Sequence, residues 1–208
     1  MKFLKLAPLA FFALTSVIAS AEGAYVLGEL THSRDKLDSS YFDSKLGANG
    51  AVGAASTSTG SGNEFRIQGG YRLSPNLAVE GGYIDFGKTK YQATYAGGTA
   101  QGTLKAGGVD IAARGILPVS DKIDLFAKGG LVAARVKSSL TAGAPAGGAT
   151  GDTSKTVVRP LLGIGAQYKL TEKVSLRLDL DHVSGLGSSS QTGKMSATML
   201  SGGLAYSF

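Results

Sequence analysis

The 208-residue chain has no cysteine and no tryptophan, only two histidines and five prolines, and 17% of its residues are charged. The lack of cysteine fits an exported chain that stays clear of periplasmic disulfide chemistry. The two histidines, His32 and His182, are far apart and have neither cysteine nor clustered carboxylates around them, so no metal site is expected. Beyond the first 21 residues no window approaches the roughly 18 consecutive apolar residues that a spanning helix needs, which excludes a helical membrane protein. Basic residues outnumber acidic ones by only 21 to 15. These charges alternate with apolar residues instead of clustering, so nucleic acid is not an expected partner.

What is present begins with an export signal. Lys2 and Lys5 precede an apolar core around Leu9, Phe11, Phe12, Leu14, Val17 and Ile18, and Ala19-Ser20-Ala21 forms a small-residue cleavage site. Residues 1–21 are therefore read as a cleaved signal peptide and 22–208 as the mature domain, starting at Glu22 and carrying 19 basic against 15 acidic residues.

The mature chain alternates. Phe65, Ile67, Gly69, Tyr71 and Leu73 interleave with Glu64, Arg66, Gln68, Gly70 and Arg72, and the carboxyl terminus closes on Leu204, Tyr206 and Phe208 at period two. An apolar face of this kind is of little use in water but suits strands that face lipid. Eight strands are predicted, at Tyr25–His32, Asn63–Leu73, Leu77–Gly87, Leu104–Leu117, Ile123–Val136, Val157–Leu170, Val174–Val183 and Met195–Phe208. Short turns at Ser74-Pro75-Asn76, Pro118 to Lys122 and Thr171-Glu172-Lys173 alternate with long Gly/Ala/Ser/Thr segments near 33–62, 88–103, 137–156 and 184–194. Lipid offers no partners to an open sheet edge, so the sheet must close. The expected fold is an all-β, eight-stranded antiparallel transmembrane barrel with short periplasmic turns and long extracellular loops.

Glycine is the compositional outlier at 31 residues, about twice the usual share. Five strands carry a pair: Gly69-Gly70, Gly81-Gly82, Gly107-Gly108, Gly129-Gly130 and Gly202-Gly203. One member of each must face a narrow lumen, leaving room for bulky residues opposite. The stretches Leu73–Gly87 (LSPNLAVEGGYIDFG) and Pro160–Asp181 (PLLGIGAQYKLTEKVSLRLDLD), with the ending Gly203-Leu-Ala-Tyr-Ser-Phe208, resemble the OmpA-type transmembrane barrel family over nearly all of the mature chain. The layout is similar to the standalone OmpX and opacity-protein barrels of Gram-negative outer membranes. Because the chain stops at Phe208, no peptidoglycan-binding domain is expected. The resemblance also implies that Leu204, Tyr206 and Phe208 form the signal read by the barrel assembly machinery.

With apolar positions assigned to lipid, Glu64, Arg66, Arg72, Glu80, Asp110, Arg114, Asp124, Lys128, Arg159, Lys169, Arg177, Asp179 and Asp181 point inward, seven bases against six acids. Paired charges avoid the desolvation cost of isolated ions, so a salt-bridged plug is expected; the alternative is a narrow gated porin. His182-Val183-Ser184 resembles the H-x-S of outer-membrane lipid A deacylases, which raises a lipid A-modifying hydrolase. No acid follows Asp181 to orient the imidazole, and period two puts His182 on the lipid side, so no catalytic residue is assigned. Gly163-Ile-Gly165 lacks the third glycine and the helix of a dinucleotide fingerprint, and no cofactor is expected.

The loop lysines Lys36, Lys45, Lys88, Lys90, Lys137, Lys155 and Lys194 are placed near the outer leaflet, within reach of lipopolysaccharide phosphates. Tyr71, Tyr83, Tyr168, Tyr206 and Phe208 suit interfacial belts. The segment from Ser33 to Gly62 has few large apolar residues, so it is expected to be mobile, unable to pack as a lid and cleavable near Arg34 or Lys36. The expected role is structural or adhesin-like at the outer membrane, with host or surface ligands met through the loops.

Overall fold

The computed structural model describes residues 23–208; the signal peptide expected at 1–21 lies outside the described residues. The elements are β1 (Ala24–Asp38), α1 (Ser40–Ala48), β2 (Ala55–Ser74), β3 (Leu77–Tyr95), β4 (Gly98–Pro118), β5 (Ile123–Ala142), a 3-10 turn at Ala146–Ala149, β6 (Gly151–Lys169), β7 (Val174–Ser188) and β8 (Gly193–Ser207). Each strand pairs antiparallel with its sequence neighbours and β8 returns to β1, which makes a closed barrel. The closing seam runs from Tyr25 opposite Ser207 to Asp38 opposite Lys194, and the Phe208 N–H donates to the Ala24 carbonyl at 3.1 Å.

Three inner turns fall where turn chemistry predicts. The Asn76 side chain donates to the Ile116 carbonyl at 3.0 Å, and the Thr171 hydroxyl accepts from the Val174 N–H at 2.9 Å. The outer half departs from expectation. Strands of 15 to 21 residues extend well past the 9 to 11 or so that a tilted strand needs to cross hydrocarbon. Most of the residues expected in long loops are strand. The β3–β4 connection is reduced to Ala96-Gly97, and that between β7 and β8 to residues 189–192.

The physical cause is a set of β-bulges. The register shifts by one between Gly60 and Arg66 on β2, between Asp85 and Lys88 on β3, and between Val183 and Leu186 on β7. A one-residue insertion reverses which parity faces inward. On β3 the buried residues are Ile84 and Phe86 below the bulge and Tyr91, Ala93 and Tyr95 above it. Gly87 sits in this bulge at φ +71, a backbone conformation that an L side chain seldom adopts. The alternation therefore breaks at Gly87 and Val183, where the sequence reading ended its strands.

Lipid-side and lumen-side faces otherwise fall as expected. Val109, Ile111, Leu131, Ile164, Leu178, Leu200 and Leu204 are exposed on the outer wall, and so are Tyr71, Tyr83, Tyr168, Tyr206 and Phe208. The second glycine of each pair faces the lumen side. A Cβ on Gly70 would collide with the Tyr25 ring, and one on Gly108 with the backbone of Ala133 and Ala134 on β5.

Candidate functional site

The barrel interior has two chemistries. Its lower half is a chain of ion pairs. At the periplasmic end Asp124 lies between Arg72 at 3.1 Å and Lys169 at 3.3 Å. One layer up, Glu80 accepts both terminal nitrogens of Arg177 at 2.5 and 3.0 Å, the Tyr25 hydroxyl at 2.5 Å, and lies 3.1 Å from Nε of Arg114. Arg177 also donates Nε to Asp179 at 2.7 Å, and its guanidinium stacks 4.5 Å from the centre of the Phe126 ring. Lys128 bridges Asp179 to Asp181, 2.9 Å from the latter. Arg66 meets Asp181 at 2.5 Å, Glu29 at 3.6 Å and Asp110 at 3.9 Å. Gln68 donates to Asp110 at 2.8 Å.

Eleven of the thirteen expected lumen charges thus enter ion pairs, eight of them in one network and Arg72, Asp124 and Lys169 in a separate cluster at the periplasmic end. Two do not. Glu64 is buried, but none of the ion pairs among the described residues includes it; its carboxyl lies against Gly62 and Gly87, beside the bulges. Arg159 instead donates Nε to the Gly185 carbonyl at 2.5 Å and Nη2 to that of Gly187 at 3.3 Å, holding the bulged part of β7. Sequence reasoning missed Glu29, which replaces Glu64 in the network. It shares the inward face of β1 with the apolar Tyr25 and Leu27, so the alternation there did not mark it as lumen. Its odd parity with Tyr25 and Thr31 was the available signal. With Glu29 the two clusters together hold six bases and six acids.

The upper half of the lumen is apolar. Ile84, Phe86, Leu104, Val132, Val136, Leu161, Val183, Leu186, Met195 and Met199 form one buried cluster. The helix α1 is seated on it. Phe42 and Leu46, four residues apart and so on one helix face, are both 0% exposed. The Phe42 ring stacks on Tyr91 with centroids 4.7 Å apart. The Tyr91 hydroxyl donates to Asp43 at 2.5 Å, and burial together with that carboxylate holds it well above the usual phenol range. At the helix start the Asp38 carboxylate accepts from the Ser40 hydroxyl at 2.6 Å and its N–H at 3.1 Å, which lowers the Asp38 pKa. The expectation of a mobile segment that cannot form a lid is thereby overturned. Arg34 lies opposite Thr198 and Ser61 in the ladder, and Lys36 opposite Ser196, so cleavage there is not expected.

Around the mouth, Ser40, Tyr41, Ser44 and Lys45 of α1 and Ser189 and Ser190 of the β7–β8 turn line a polar groove of about 350 Å³. Of the lysines expected in loops, Lys36, Lys88, Lys90, Lys137, Lys155 and Lys194 are on strands and only Lys45 is on the helix. His182 is exposed on the outer wall and pairs with the Thr198 hydroxyl at 3.0 Å, while Asp181 points inward to Arg66 and Lys128. The H-x-S run has no carboxylate on its own face. His32, also exposed, pairs with Asn63 at 3.2 Å.

The family model for the OmpA-like transmembrane domain matches residues 35–208. The chain belongs to that family. Outer membrane protein A of Serratia marcescens is 33% identical over 140 residues, which cover 67% of this chain and 37% of that protein. The chain spans well under half the length of such relatives. Among solved structures, Neisserial surface protein A superimposes with a TM-score of 0.54 at 18% identity, covering 90% of this chain and 98% of that one. The attachment invasion locus protein Ail of Yersinia pestis superimposes with a TM-score of 0.50 at 14% identity, covering 89% and 100%. These likenesses are of fold. The OmpA-like barrel is an outer-membrane protein, and its exposed apolar band is the surface that meets lipid.

Proposed function

We propose that this OmpA-like barrel is a closed, non-enzymatic scaffold whose work is done at its outer rim, in adhesin-like contact with surface ligands. One observation carries the reading: α1 is packed into the mouth through Phe42 and Leu46, above a lumen that its own side chains fill. A rim built on paired strands and a buried helix presents Tyr41, Ser44 and Lys45 at low ordering cost, which favours binding. The names of Neisserial surface protein A and of the attachment invasion locus protein agree with work at a cell surface. The test is adhesion of cells lacking the protein, complemented with wild type or with the double variant Tyr41→Ser/Lys45→Ser. We expect the variant to reach the outer membrane and not restore adhesion; full restoration would defeat the proposal.

A narrow gated pore is the second reading, favoured by Arg66, which has three carboxylates within 4 Å and could exchange partners. Sustained conductance of the wild-type protein in planar bilayers would establish it in place of the closed scaffold. Ser184→Ala should leave lipid A acylation unchanged. The ending Leu204, Tyr206 and Phe208 serves as the signal for the assembly machinery; deleting Phe208 should lower the yield of the folded, heat-modifiable form.

A further inference from the structure

Above the apolar band, the outer wall of three adjacent strands turns basic. On β4 the outward positions run from Leu117 through Ile111, Val109 and Gly107 to Lys105. On β5 they run from Leu125 through Leu131 and Ala133 to Arg135 and Lys137, and on β3 from Val79 and Tyr83, across the bulge, to Lys88 and Lys90. The ladder sets Lys88 directly opposite Lys105, and Lys105 directly opposite Lys137, with Ser154 of β6 next in the row. All three lysines are exposed. None of the ion pairs among the described residues includes them.

Directly opposed residues in a sheet have Cβ atoms about 5 Å apart, and like charges there destabilise the pairing. Three cations in one row are costly unless an anion lies among them. The two nearby acids do not fill that role. Asp85 accepts the Gly87 N–H at 2.9 Å, and Asp152, opposite Ser139 in the ladder, shares a groove of about 510 Å³ with Thr103, Lys105, Lys137 and Ser154 but is in none of the ion pairs among the described residues. The hydroxyls of that groove add donors suited to phosphate oxygens.

We propose that the row Lys88, Lys105 and Lys137 binds the phosphate groups of an outer-leaflet lipid. The commitment to a lipid follows from location. The row lies two outward positions beyond Tyr83, Val109 and Ala133, so methylene stems can lie along the apolar wall while the ammonium groups rise to the headgroups. Charge-assisted contacts to phosphate are strong in that partly desolvated layer. The site depends only on the membrane placement of the barrel and holds whether or not the rim has a ligand.

The test titrates the full mature chain, folded in detergent micelles, with bisphosphorylated lipid A and with the same lipid after dephosphorylation, and follows binding by the heat-modifiability midpoint. Wild type should be stabilised by the phosphorylated lipid and much less by the other. K88Q/K105Q/K137Q should fold and bind about tenfold more weakly, whereas K36Q/K194Q, on the opposite seam of the barrel, should bind as wild type does. If the triple variant does not fold, K105Q alone should still weaken binding about threefold. Equal binding by wild type and lysine variants, or no preference for the phosphorylated lipid, would overturn the site. Competition by inorganic phosphate at matched concentration, or by a sulfated polysaccharide in place of the lipid, would overturn the lipid assignment.

Discussion

The lower lumen is held together by six bases and six acids, whereas the upper lumen, a few residues farther along the same strands, is packed with aliphatic and aromatic side chains. The two halves solve one problem, filling a narrow cylinder, with opposite means. In the lower half the geometry is demanding, because each buried ion costs several kcal/mol unless its partner is in place. In the upper half, volume matters more than direction, and a loop-borne helix can supply part of it. The difference has a mechanical meaning. Removing one lower residue orphans several others, whereas removing an upper one leaves a hole that affects only the helix above it.

The largest effect should therefore come from Glu80→Leu, which leaves Arg177, Arg114 and Tyr25 without their shared acceptor. We expect a loss of about 3 to 5 kcal/mol in urea unfolding. The double variant Glu80→Leu/Arg177→Met should recover part of it, and equal losses for single and double variants would contradict the network. Phe42→Ala removes a comparable burial energy, about 3 to 5 kcal/mol, but the loss should stay local. Hydrogen exchange should rise across α1 and broad-specificity protease should cut near 49–54 on intact cells, with the barrel midpoint little changed. A drop in that midpoint matching the Glu80 variant would erase the distinction between the halves.

The outer face supplies the next comparison. Leu178→Arg, in the lipid-facing band, should cost about 2 to 4 kcal/mol, and a polar replacement of Gln167, which accepts from Arg114 at 2.9 Å, should cost less. The smallest effect concerns the start of the helix. Asp38 has its carboxyl pKa lowered by the Ser40 hydroxyl, so its contribution is complete above the ordinary aspartate range and disappears as pH falls through the lower folded-state value. Asp38→Ala should loosen α1 by about 0.5 kcal/mol at neutral pH, and acidification should reproduce that in wild type but not in the variant.

Much of the lower barrel was legible in the sequence because lipid enforces a strict period of two. Arg66, Glu80, Arg177 and Asp179 stand out as charges between apolar neighbours, and their strands could be placed within a few residues. Glu29 did not stand out, because Tyr25 and Leu27 make the inward face of β1 look like a lipid face. The upper half was harder to read for two reasons. Bulges at Gly87 and Val183 reverse the parity that a periodic reading depends on, and water outside removes the penalty for polar residues on the outer wall. The helix escaped notice because Phe42 and Leu46 are diluted among small residues, and averaged composition hides a two-residue anchor. The row Lys88, Lys105 and Lys137 is a property of register: no stretch of the linear sequence brings those three together.

The bulges on β3 and β7 amount to a reset of phase. Residues above them take their inside or outside orientation from the bulge and not from the membrane segment below. On those two strands, upper segments from another eight-stranded barrel could therefore be spliced in above Gly87 and Val183 without rephasing the ion-paired half. A transplant with joints a few residues lower would turn its charges toward lipid and its leucines toward the lumen.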